Sequence, residues 1–201
     1  MFFVLLAVLV VFVIAFTIFL VINRKLTSNK FIELCQKKVE RFAKRNNLLV
    51  ISNLSIASNK NEKLAINQVV FGEKYIYLIS NFMLKGSVSG ELNNHSWIYF
   101  DSIKKKHLYI NNLNALSDEN IRDFSRILGI SSDPIVSICV VPNECDFKIE
   151  NLQKDKKIFI RYSSLNSKIK AYEKEKIGSL NKEQIYEQYR IIERRNKEGK
   201  R

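Results

Sequence analysis

The opening of the chain constrains it most: from Phe2 to Ile22 the only polar residue is Thr17. A helix over that run rises about 1.5 Å per residue and reaches roughly 30 Å, the thickness of a bilayer's hydrocarbon core. No Lys or Arg precedes it, and Asn23, Arg24 and Lys25 follow directly. A secretory signal would carry a basic start, a shorter apolar stretch and a small-residue cleavage site; none is clear here. Basic flanks stay on the cytoplasmic side. The run therefore predicts a single-pass cell-membrane protein, N-terminus outside and the rest cytoplasmic. A buried core helix is the alternative, and it would need protein over most of its surface.

Beyond the run, 46% hydrophobic residues and two prolines leave material for one real core and a tail. The expected division is 1–23 as anchor, 24–165 as an α/β domain and 166–201 as a basic helical tail. Cys35, Cys139 and Cys145 are odd in number and lack metal-ligand spacing, which reads as reduced, packed thiols. His95 and His107 have no Cys or His companion nearby, so neither zinc nor another cofactor is expected. Thirty-three basic against twenty acidic residues give +13, a balance that suits nucleic acid or an anionic phospholipid surface. Lys outnumbers Arg and Asn is abundant, so base composition of an AT-rich gene accounts for part of that charge.

From Asn29 to Asn46, Phe31, Leu34, Cys35, Val39 and Phe42 fall on one helical stripe. Lys30, Lys37, Lys38 and Arg41 stand on the opposite face, with Lys44 and Arg45. Strand-like runs follow at Leu48–Leu54, Leu64–Phe71 and Tyr75–Phe82, the last two joined by the hairpin signal Gly72-Glu73-Lys74. Ser96–Phe100 and His107–Ile110 read as strands, with Lys104, Lys105 and Lys106 in the loop between them. A helix is expected from Ser117 as its cap, with stripe Ile121, Phe124, Ile127 and Leu128 and a stop at Gly129. Ile135–Val141 is continuously apolar, the mark of a strand buried on both faces, and Lys157–Tyr162 is a last short strand. Ile185, Tyr189 and Ile192 recur at helical spacing in a charged tail. They predict an amphipathic helix, either docked on the domain or offered to a protein partner.

The segment Ile66–Trp97 resembles the nuclease-related domain (NERD) family, relatives of the restriction-endonuclease fold. Gly72, the apolar strand Ile76–Ile79, the pair Gly86 and Gly90, and Trp97 carry the likeness. The segment "NNLNALSDENIRDFSRILG", with its expected helix, and the strand "IVSICVV" extend it to roughly 31–147. The resemblance implies an α/β fold: a small restriction-endonuclease-like mixed sheet flanked by helices, here after a single transmembrane helix and before a C-terminal amphipathic helix. In the family an Asp-His pair opens the second strand and Glu-x-Lys ends the third. Carboxylate oxygens hold a divalent metal and the Lys supports the charge at the scissile phosphate. Here those positions are Asn67-Gln68, Ser80 and Phe82, and the first-helix Gly-Glu has Cys35-Gln36 as its nearest equivalent. Two anionic ligands have become neutral and the cation an apolar ring, so catalysis and metal binding are not expected.

The reading is thus a membrane-anchored, catalytically inactive nuclease-related domain that binds nucleic acid or a protein. Arg24, Lys25, Lys30, Lys37, Lys38, Arg41 and Lys104–Lys106 are its candidate nucleic-acid or lipid contacts. Two alternatives stand beside it: a membrane-associated assembly protein, and an active nuclease with relocated ligands such as Glu73 or Glu91.

Overall fold

The computed structural model describes Ile14 and residues 28–59, 62–150, 157–174 and 181–198. In chain order the elements are α1 (Ser28–Arg45), β1 (Leu49–Asn59), β2 (Glu62–Phe71), β3 (Ile76–Asn81), β4 (Gly86–Glu91), β5 (Ser96–Asp101) and β6 (Lys106–Asn111). Then come α2 (Leu113–Leu128), β7 (Ile135–Val141), β8 (Asp146–Glu150), β9 (Lys157–Arg161), a 3₁₀ turn at Tyr162–Ser164, α3 (Leu165–Lys174) and α4 (Lys182–Glu198).

The first sheet runs β1-β2-β3-β7-β9. β1, β2 and β3 are antiparallel neighbours, while β3, β7 and β9 are parallel, so the sheet is mixed. β3 and β7 are buried along their whole length because helices cover both faces of the sheet centre. On one face α1 and α3 bring Phe31, Val39, Leu165 and Ile169 onto Tyr77, Ile79, Ile138 and Val140. On the other α2 and α4 bring Phe124, Ile127, Ile185 and Ile192 onto Val69, Leu78 and Ile135. The α1 stripe is buried as its periodicity predicts, save that Leu34 is 43% exposed, and Ala43 is buried as well.

The second sheet, β6-β5-β4-β8, prolongs the parallel pairing of β3 with β7 into β4 with β8. Its inner face carries Val88, Trp97 and Tyr99 against Leu113, Cys139, Val141 and Cys145. Gly86 and Gly90 lie within β4 at φ 141° and 153°. A Cβ on Gly90 would stand 2.8 Å from Trp97 Cδ1, so the indole reaches its slot only over a glycine.

Among the described residues no helix is long and apolar enough to cross a membrane. The run Phe2–Ile22 lies outside the described residues except for Ile14, which is helical and 53% exposed. The four helices α1 to α4 each bury one apolar stripe and turn polar residues outward. Lipid would demand an apolar surface all round. The transmembrane part of the expected fold class is corrected on this finding. With it go the membrane and phospholipid partners and the cell-membrane localisation with its N-out orientation.

Three further expectations are corrected. α2 begins at Leu113, four residues before Ser117, because Asn112 caps it by accepting from the N–H groups of Asn114 and Ala115. Ser117 is instead an interior residue that donates back to Leu113 O. The tail stripe is not presented to a partner: Ile185 and Ile192 are buried, and Asn196 Oδ1 accepts from Ser55 N–H at 2.9 Å. α3, β4 and β8 were not foreseen. α3 is short and lies in a Lys- and Ser-rich stretch, but Leu165 and Ile169 anchor it in the core.

Candidate functional site

The nuclease-like positions meet at the C-terminal end of β3. The β2–β3 ladder stops at the pair Gln68–Ile79. One step beyond, Asn67 Oδ1 accepts the backbone N–H of Asn81 at 2.7 Å, a side chain doing what the next strand pairing would have done. Asn81 Nδ2 donates to Gln68 Oε1 at 3.2 Å on the opposite face. Asn67 and Gln68 thus both converge on Asn81, a residue the motif comparison passes over although it sits between Ser80 and Phe82. The amide pair is buried, and Gln68 Nε2 and Asn81 Oδ1 have no partner among the described residues.

Ser80 is 7% exposed and stands beside Cys139 of β7. Phe82, at the lysine position, packs on the cluster that holds Trp97 and Val88. Packing fills the place where the motif has its cation. These residues do not fit a divalent cation: one neutral oxygen is already engaged, and neither Ser80 nor Phe82 supplies a carboxylate. Among the described residues no three His, Cys, Asp or Glu side chains group as metal ligands. Glu73 lies in the β2–β3 turn of the first sheet, with its N–H donated to Glu173, while Glu91 ends β4 of the second sheet. They do not come together.

A different site forms between α1 and α3. A groove of about 460 Å³ is lined by Lys38, Arg41, Arg45 and Lys170, with Tyr162 and Asn166. The spacing of Lys38, Arg41 and Arg45 puts all three on one side of α1. Lys38 is held in place: Nζ donates to the carbonyls of Tyr162 and Ser163 and lies 4.1 Å over the Tyr162 ring. Burial pushes its pKa below the ordinary lysine value. No carboxylate lines the groove, and no ion pair joins Arg41, Arg45 or Lys170 among the described residues. A smaller cavity of about 280 Å³ adjoins it at Phe42, Asn46 and Lys170. There Glu173 accepts from the Tyr77 hydroxyl and from Glu73 N–H, which ties α3 to the β2–β3 turn.

Of the expected contacts, Lys38 and Arg41 fall in this groove, and Lys37 pairs instead with Glu33 one turn away. Lys30 lies at the other end of α1, in its first turn. Lys104–Lys106 stand on the β5–β6 hairpin of the second sheet, exposed, with Lys104 N–H bonded to Asp101. Arg24 and Lys25 lie outside the described residues. Arg45 joins Lys38 and Arg41 from the expected basic face of α1, and Lys170 is an addition from α3. Lys170 was readable in principle, because Leu165, Ile169 and Tyr172 repeat at helical spacing and place it on the outer face.

Compared with protein-family models, curated proteins and solved structures, the chain gives no match.

Proposed function

We propose that this chain is a nuclease-related frame without metal chemistry, which binds the phosphodiester backbone of nucleic acid in the groove between α1 and α3. The observation that carries the reading is the groove's lining: four cations and, among the described residues, no carboxylate. Arg41 and Arg45 are like charges one turn apart, an arrangement that costs a helix about 0.2–0.5 kcal/mol. A phosphate bound at each guanidinium fork relieves that repulsion. Lys38, fixed by two carbonyls and a ring, sets one wall of the groove, and Lys170 reaches in from α3. The frame itself is supported by the element order, helix, three antiparallel strands, a later helix and a parallel strand, and by the meeting of Asn67 and Gln68 with Asn81.

The test is fluorescence anisotropy of a labelled duplex titrated with the full chain, kept in solution by a neutral detergent because of its apolar start. At low salt, Arg41→Gln/Arg45→Gln lowers affinity at least about tenfold, since each charged hydrogen bond is worth about 1.5–3 kcal/mol. Equal binding by the variant and the parent refutes the reading.

A further inference from the structure

The outer face of the second sheet is open, and its composition is unlike that of a solvated face. Its strand register sets two rows across β8, β4, β5 and β6: Lys148, Ser89, Ile98 and Tyr109, then Asp146, Ser87, Phe100 and His107. Tyr109 is 82% exposed and Ile98 41%. The Phe100 and His107 rings lie 5.0 Å apart at 45°. Serines on β4 make the middle of the face shallow. A hollow of about 400 Å³ opens there between Ile98, Tyr109 and the amides Asn93 and Asn94 of the β4–β5 loop. Among the described residues no acidic side chain lines it. Cations stand at two margins of the face, Lys148 on β8 and Lys104 to Lys106 on the β5–β6 hairpin, outnumbering Asp146 beside Lys148 and Asp101 opposite Lys106.

Flat rings on an open sheet, hydrogen-bonding amides beside them and lysines at the margin suit one occupant chemically. Bases stack on aromatic side chains whatever their sequence, and the backbone follows the positive border. A duplex cannot use such a face, because its bases are already stacked on one another. We infer that the outer face of this sheet is a stacking platform for single-stranded nucleic acid, with Tyr109 and the Phe100–His107 pair as the ring contacts. The inference shares its ligand class with the groove reading and rests on that reading for it, but on a different sheet and different residues.

The probe is a labelled oligothymidylate of about twelve nucleotides, within the site size one such platform takes. Tyr109→Ala in the full chain loses about 5- to 150-fold in affinity, the range for one stacked base, while Tyr109→Phe stays within about twofold of the parent. Tyr109 is exposed enough for its removal to leave the fold intact, and thermal unfolding checks that. Unchanged affinity in Tyr109→Ala overturns the platform. So does a dimer in sedimentation that Tyr109→Ala dissociates, since the face would then serve a second copy. The labelled duplex, titrated in parallel, separates the two sites. Oligothymidylate affinity lost with Tyr109→Ala, while Arg41→Gln/Arg45→Gln leaves duplex affinity unchanged, keeps the platform and refutes the groove, and the reverse does the opposite. No binding of oligothymidylate by the parent at low salt refutes the platform, and no binding of the duplex refutes the groove.

Discussion

Replacing Ile192 by alanine measures how far α4 belongs to the fold. The residue is fully buried among Val69, Phe71, Leu78 and Phe124 at the sheet's second face. Around it Tyr189 meets Phe71 edge-on at 5.5 Å, and Arg195 Nη1 donates to Ile127 O at 2.8 Å. The substitution removes about three carbons at roughly 0.8 kcal/mol each. The cavity left behind brings the loss to about 3 kcal/mol, within the 2–5 kcal/mol seen for such truncations. With a urea slope of about 2 kcal/mol per molar, the unfolding midpoint falls by about 1.5 M. Tyr186→Ala, on the exposed side of the same helix, is the control and changes stability by less than about 1 kcal/mol. A loss below about 1 kcal/mol for Ile192→Ala, no greater than the control, would refute the docking of α4. The tail would then be free for a partner.

Three other outcomes follow from particular contacts. Burial pushes the Cys35 and Cys139 thiols up to about 12 and Cys145 to about 11, so none reacts with a disulfide reagent at pH 8 until the chain unfolds. The stability these protonated thiols contribute is complete below their ordinary value near 9 and is lost as pH climbs toward 12. Cys139→Ala therefore flattens the alkaline fall in urea midpoint, and an unchanged fall contradicts this. Gly90→Ala drives a methyl into Trp97 and forces a strained φ, costing about 1–3 kcal/mol; a red shift of the single tryptophan's emission reports it. Introducing the nuclease motif's residues with Asn67→Asp/Ser80→Glu/Phe82→Lys buries charge beside Cys139 and Trp97 and lowers stability by more than about 3 kcal/mol. A stably folded triple variant that cleaves DNA with Mg²⁺ would overturn the claim that packing fills the site.

What the sequence made legible was whatever rests on local periodicity. The α1 stripe, the buried β7 and the Gly72–Lys74 hairpin were readable because each is written into neighbouring residues. β4 was not, because Gly86 and Gly90 are poor strand residues and earn their place through Trp97 and Phe100, contacts that no local pattern announces. The start of α2 was misplaced for a similar reason. Ser117 is a good cap by type, yet Asn112 does the work, and it is held there by donating to Leu92 and Asn94 carbonyls from a distant loop. The apolar start gave the strongest single signal in the chain, and all of it but Ile14 falls outside the described residues. Of the groove, α1 supplied three cations at readable spacing. Their partner Lys170 became visible only when α3 was seen lying beside them.

The salt dependence of duplex binding tests the groove most directly. Four cations facing four phosphates release their counterions on binding, so log K falls against log salt with a slope of about −3.6. That is a loss of roughly 150-fold between 50 and 200 mM salt. Arg41→Gln/Arg45→Gln removes two of the four contacts and should bring the slope to about −1.8. The same steep slope in parent and variant would place the contacts elsewhere on this basic chain and contradict the account.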